Sequence, residues 1–242
     1  MNAAAVRIAV SSSTFRRPLT AGELTQLEWL ERCASVLGAD GVLAAVEHFP
    51  RRDAEYVAQL RKVAVDLGVV PFGLDAPGLL EPSGAEQREA VLALAGGFGA
   101  LVLRTTLPPP GEVPPATFVE TVIAAKALSR AAKAANVTVL AGAAPGTLGE
   151  DLAGVKHLIK DVDSAWLRAA PAAASAGEIG PKDRYPAFTA TPADDPVAVA
   201  ACAGRAWVIL DAPPSERPWD GVRDAIAALR SAAAEQARIA RR

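Results

Sequence analysis

Gly41-Val-Leu-Ala-Ala-Val46 is followed by Asp53-Ala-Glu-Tyr-Val-Ala-Gln-Leu-Arg-Lys-Val-Ala-Val-Asp-Leu-Gly68, and then by Val69-Val-Pro-Phe-Gly-Leu74. The outer two segments are short apolar runs of the kind a parallel strand buried on both faces requires. Between them Asp53 stands where a helix N-cap belongs, Tyr56, Val57, Leu60 and Val63 recur at helical spacing, and Gly68 stops the helix. Strand, helix and strand in that order imply a right-handed crossover and parallel pairing.

The same unit extends in both directions. Val6 to Val10 reads as a strand ending in Ser11, Ser12, Ser13 and Thr14, and Thr20 is a candidate N-cap for a helix running to Leu37 with Leu24, Leu27, Leu30 and Ala34 on one stripe. Downstream, helical periods at Glu86 to Ala95, Phe118 to Ala135 and Leu152 to Ile159 alternate with apolar runs at Ala100 to Leu103, Val137 to Leu140 and Ala165 to Leu167. Six such rounds in 242 residues favour a (β/α)8 TIM barrel of the α/β class over an open doubly wound sheet, whose first turn would carry glycines where this chain has Ser-Ser-Ser-Thr. Pro171 to Pro186 has no helical period and is expected to be irregular. Ala187 to Thr191 then supplies a seventh strand, Pro196 to Ala203 a helix, Ala206 to Leu210 an eighth strand and Gly221 to Ile239 the closing helix. A second register takes Trp207 to Asp211 as the seventh strand and leaves the barrel incomplete in its C-terminal third.

Composition narrows the function classes. The chain is 51% apolar with a mean hydropathy of +0.20, but Ala supplies much of this and charges interrupt every run well short of a bilayer span. With 25 basic and 27 acidic residues there is no general attraction to nucleic acid or anionic lipid, and Arg238, Arg241 and Arg242 suit the C-terminal end of a helix dipole. Cys33 and Cys202 lie among apolar neighbours and read as reduced, buried thiols. No export signal is expected in Met1 to Val10, so the expected location is cytoplasmic.

Leu37-Gly-Ala-Asp-Gly-Val42, His48-Phe-Pro50, Tyr56-Val-Ala-Gln-Leu-Arg61 before Leu67-Gly68, Phe98-Gly-Ala-Leu-Val-Leu-Arg104, Pro145-Gly-Thr147 and Asp161-Val-Asp-Ser164 together resemble the sugar phosphate isomerase/epimerase family of xylose isomerase-like TIM barrels. The resemblance covers most of the chain and implies a single barrel domain over residues 1–242. It also implies a divalent metal held by Glu, Asp and His at the ends of later strands. The positions that correspond are Gly142, Ala143 and Ala144 before Pro145, and Arg168-Ala-Ala-Pro171 where an Asp is expected. Neither set carries a side-chain ligand, and the chain has only two histidines, His48 and His157. The expectation is a divergent member with no metal and no cofactor.

In such a barrel function gathers at the C-terminal ends of the strands. Glu47 and His48 are the adjacent acid and imidazole there, and with Asp211 they are the candidate proton-transfer groups. Arg104 and Arg168 are candidate bidentate holders of a phosphate or carboxylate, with Asp75 beside them. Salt bridges from arginine to Asp75 or Asp211, and a His48 packed under Phe49 and Pro50, fit the same residues. Two functions stay open: an isomerase/epimerase acting on a phosphorylated or acidic sugar, and a non-catalytic barrel that binds a small metabolite or a protein. No nucleic acid or membrane partner is expected, and the oligomeric state is not legible.

Overall fold

The computed structural model describes residues 6–178, 185–203, 206–213 and 218–239. Its elements run β1 (Arg7–Ser11), a 3-10 turn (Ser12–Phe15), α1 (Arg16–Ala21), α2 (Gln26–Ser35), β2 (Gly41–Ala45), a 3-10 turn (Val46–His48), α3 (Ala54–Asp66), β3 (Val70–Asp75), α4 (Ala85–Phe98), β4 (Val102–Thr106), α5 (Pro114–Ala134), β5 (Thr138–Gly142), α6 (Leu152–Val162), β6 (Leu167–Ala170), a 3-10 stretch (Ala173–Glu178), β7 (Ala187–Ala190), α7 (Pro196–Ala203), β8 (Trp207–Leu210) and α8 (Pro218–Ile239).

All eight strands are parallel, in the order β6-β5-β4-β3-β2-β1-β8-β7, so the sheet is a nearly closed (β/α)8 barrel. Its seam lies between β6 and β7, which are joined by a bridge from Ala172 to Thr189 and by the Thr189 N–H donating to the Pro171 carbonyl at 2.9 Å. Trp207 opens the eighth strand, and the register that leaves the barrel one strand short is not the one adopted. Where a crossover helix would follow β6, Ala173–Glu178 forms 3-10 turns interrupted at Ser175; residues 179–184 lie outside the described residues.

Alternation along each strand divides the apolar residues into two cores. Ile8, Val10, Val42, Leu74, Leu103 and Val139 face outward to the helices, whereas Leu43, Phe72, Val102, Leu140, Trp207 and Ile209 fill the barrel. Phe72 and Trp207 stack there with ring centroids 4.6 Å apart. Glycines make the room: a β-carbon on Gly41 would stand 2.9 Å from the Trp207 ring. One on Gly73 would stand 2.5 Å from Val102 Cγ2 and 2.7 Å from the Val102 carbonyl oxygen.

Two helix starts differ from the sequence reading. The helix expected from Thr20 begins instead after Thr25, whose hydroxyl accepts from the Glu28 N–H while the Glu28 carboxylate accepts from the Thr25 N–H; Thr20 lies inside α1, which Gly22 ends in a left-handed conformation. The helix read from Phe118 begins earlier, with Pro114 and Pro115 as the first two residues of α5, where a missing N–H leaves no helical bond unmade. Asp53 caps α3 through the Tyr56 N–H, as its position predicts.

Because Gly73 is wedged between a backbone oxygen and a barrel side chain, Gly73→Ala should overpack the lumen and lower stability by about 1–3 kcal/mol, read as a lower urea midpoint with an unchanged slope. An unaltered midpoint would mean that β3 and β4 can separate at no cost.

Candidate functional site at the barrel mouth

Arg104 shares a face of β4 with Val102 and therefore points inward, one pleat nearer the mouth. Its register partner is Asp75, the last residue of β3. Arg104 Nε donates to Asp75 Oδ1 at 2.9 Å and Nη2 to Asp75 Oδ2 at 2.7 Å, a bidentate pair. The same Nη2 donates to Asp211 Oδ2 at 2.7 Å, and Asp211 follows β8, four strands away around the barrel. The three side chains are 11%, 17% and 24% exposed. Burial opposes the guanidinium charge, but the two carboxylates outweigh it and hold the Arg104 pKa above its ordinary value.

Next to this bridge the chain turns twice. β1 ends in the Ser12–Phe15 turn and β2 in the Val46–His48 turn, so His48 leaves the strand path and packs inward. Its Nδ1 is 2.8 Å from Ser12 Oγ, which also accepts from the Ala45 N–H at 2.8 Å. Its Nε2 is buried without a hydrogen bond and lies 3.6 Å from Glu47 Oε1. Burial pushes the imidazole below its ordinary pKa, an effect that Glu47 and Asp75 reduce and Arg16 adds to. A neutral ring whose Nδ1 accepts from Ser12 keeps its proton on Nε2, facing the carboxylate; we assign that tautomer. Glu47 itself is half exposed and paired with Arg16 of α1.

Ser12, His48 and Glu47 have the residue types of a nucleophilic triad, but not the access. Ser12 is 1% exposed and its oxygen is engaged by Ala45 and His48 at once, so no substrate carbonyl reaches it.

A cavity of about 700 Å³ opens beside the bridge, between the turn after β1, the loops after β7 and β8, and the start of α8. Its wall is mainly apolar, with Pro192, Ala212 and Val222, and its polar groups include Ser13, Arg16 and Asp211. Thr14 Oγ1 accepts from the Ala212 N–H at 2.9 Å and ties the first turn to the end of β8. Asp211 thus has one oxygen on Arg104 and is also one of the residues that line the cavity.

The structure gathers Asp75, Arg104 and Asp211 into one network and places Glu47 and His48 beside it. Arg168 is not part of it: it is the second residue of β6, exposed, with no contact to the network among the described residues. His157 lies on α6, stacked on Phe118. Arg16 was not among the residues singled out from sequence; only the two-turn start of the barrel brings it back to Glu47. Gly142 ends β5 and Arg168 to Ala170 lie in β6, so the strand ends where the resemblance expects ligands offer no carboxylate or imidazole. Among the described residues no three His, Cys, Asp or Glu side chains form a set that would hold a metal ion. Among the described residues, the donors at these strand ends do not fit the divalent site that the resemblance implies.

Solved structures match this architecture along nearly the whole chain. The probable 3-DHS dehydratase AsbF from Bacillus anthracis is 13% identical with a TM-score of 0.72, covering 93% of this chain and 98% of its own. The 3-keto-D-glucoside 4-epimerase YcjR from E. coli is 13% identical with a TM-score of 0.71, covering 93% and 99%. A xylose isomerase domain containing protein from Salmonella typhimurium is 14% identical with a TM-score of 0.71, covering 96% and 98%. The chain has the fold of the xylose isomerase-like barrels. At these identities the likeness is one of fold. No protein-family model and no curated protein sequence matches the chain. No helix among the described residues is long and apolar enough to cross a membrane.

A depressed His48 pKa has a signed consequence. Above the unfolded value of about 6.5 the ring is neutral in both states and its contribution to stability is complete. As pH falls below that value the unfolded chain binds the proton first, so stability declines until the folded ring protonates too. Urea unfolding at pH 7.5 and 5.5 should therefore show a larger loss for the wild type than for His48→Gln, and NMR should find the His48 midpoint below 6.5. A midpoint at or above 6.5 would remove the basis for a neutral His48.

Proposed function

We propose that this chain is a sugar isomerase/epimerase-like barrel that binds a small hydroxylated molecule at its mouth without the family's divalent-metal site. The observation that carries this reading is Asp211, which Arg104 holds by one oxygen at 2.7 Å and which lines a cavity of about 700 Å³. A volume of that order suits a monosaccharide-sized ligand, and apolar walls with a few fixed polar groups suit the alternating CH and OH of a sugar. The fold shared with the probable 3-DHS dehydratase AsbF and the 3-keto-D-glucoside 4-epimerase YcjR supports a small-molecule role.

The roles follow from position. Asp211 accepts from a ligand hydroxyl and is the acid/base group best placed to act on it. Asp75 and Arg104 position Asp211, and Glu47 positions Arg16 at the cavity. Neutral His48 stands behind Glu47. An uncharged sugar is favoured over a phosphorylated or acidic one, because Glu47, Asp75 and Asp211 outnumber Arg16 and Arg104 and both guanidiniums already hold carboxylates. Arg168 has no role in this reading.

Thermal unfolding against a panel of ketohexoses, aldohexoses and their phosphates tests it. An uncharged sugar should raise Tm saturably, Asp211→Asn should weaken that response about tenfold, and Ala193→Trp should abolish it by filling the cavity, since Ala193 lines it from an exposed position. Stabilisation by phosphate esters alone, lost in Arg168→Met, would overturn the reading in favour of an anion site on β6.

A further inference from the structure

Arg104 Nη2 stands 2.7 Å from Asp75 Oδ2 and 2.7 Å from Asp211 Oδ2. Two carboxylate oxygens, from strands on different sides of the mouth, thus converge on one point of positive charge. Hard divalent ions take carboxylate oxygens at about 2.0–2.6 Å. The nitrogen therefore fills, to within a few tenths of an ångström, the space in which an ion shared by those two oxygens would sit.

We propose that Arg104 is the resident cation of the mouth: it takes the place and the charge of a divalent ion between Asp75 and Asp211, and by doing so keeps such ions out. The charge is fixed to β4 and does not dissociate. Beside it, a divalent ion would meet a like charge in a partly buried setting, where the repulsion is far less screened than in bulk water. It would also find both inward carboxylate oxygens already bonded. With the guanidinium removed, two carboxylates would be left within twice 2.7 Å of each other with no counter-charge, an arrangement that favours capture of a cation from solution. This inference is independent of what the neighbouring cavity binds, and its test uses no sugar.

The experiment compares three proteins by thermal unfolding and by titration calorimetry with MnCl2: the wild type, Arg104→Gln, and the triple variant Asp75→Asn, Arg104→Gln, Asp211→Asn. The wild type should show no saturable response to Mn2+ and no change with EDTA. Arg104→Gln should melt well below the wild type in EDTA and gain roughly 5 °C or more at a hundredfold excess of Mn2+ over its Kd. If it is unfolded in EDTA, Mn2+ should fold it. The triple variant, with neither the guanidinium nor the carboxylate charges, should fold and ignore Mn2+. Saturable Mn2+ binding by the wild type that Asp211→Asn abolishes would overturn the proposal, because guanidinium and ion would then coexist. So would an Arg104→Gln protein, folded or unfolded, that does not respond to Mn2+, or a triple variant that responds as strongly as Arg104→Gln.

Discussion

The Asp75–Arg104–Asp211 bridge joins β3 and β4 to β8, which stands on the far side of the mouth. A guanidinium this poorly exposed is tolerated only with its donors satisfied and its charge balanced. The bridge therefore fixes how far apart the opposed strand ends can stand and roofs the apolar lumen. Below it the barrel is filled by Phe72, Trp207 and their neighbours, with Gly41 and Gly73 making the space. Above it the axis is blocked. The open volume is displaced to one side, between the ends of β1, β7 and β8 and the first turn of α8.

That displacement shapes the electrostatics of any ligand site. On the axis a ligand would meet the bridge; at the side the lining includes Asp211, Ser13 and Arg16 in a largely apolar wall. Arg16 is itself held by Glu47, whose carboxylate lies 3.6 Å from the buried Nε2 of His48. Three carboxylates and two guanidiniums thus share the mouth with a ring whose charged form burial disfavours. An arrangement of this kind orients hydroxyl groups well and offers little free positive charge to an anion.

The fold was legible where period and punctuation agreed. Asp53, the stripe from Tyr56 to Val63 and Gly68 state a helix between two apolar runs, and the structure has it. Thr20 and Thr25 are both acceptable caps by residue type. The choice depends on Glu28 reaching back and on Gly22 reversing the chain, a cooperative feature that a stripe of leucines does not reveal. At the site, Arg104 was legible as a strand-end residue at the mouth, and Asp75 and Asp211 were visible as partners. Which of them it takes depends on barrel closure: with β8 as the eighth strand Asp211 comes within reach of β4, so both bind at once. Arg16 was invisible because its approach to Glu47 is made by two 3-10 turns with no sequence period. Arg168, read as a strand-end residue, falls near the start of β6 because that strand begins later than its apolar run suggests.

The donor-free ends of β5 and β6 and the arginine on β4 belong to one electrostatic arrangement. A carboxylate at the end of β8, facing the mouth, needs a counter-charge; Gly142, Ala143 and Ala170 bring no further ligands with which to hold a metal ion. Arg104 supplies that charge from the opposite wall, and Asp75 holds it through Nε and the same Nη2. Each partner is thus tolerable only because the other two are present. Replacing one strands a buried charge, whereas replacing all three with neutral groups of similar volume removes charge and desolvation cost together. Their energetic effects must therefore be strongly non-additive, and the cluster is expected to change as a unit or not at all.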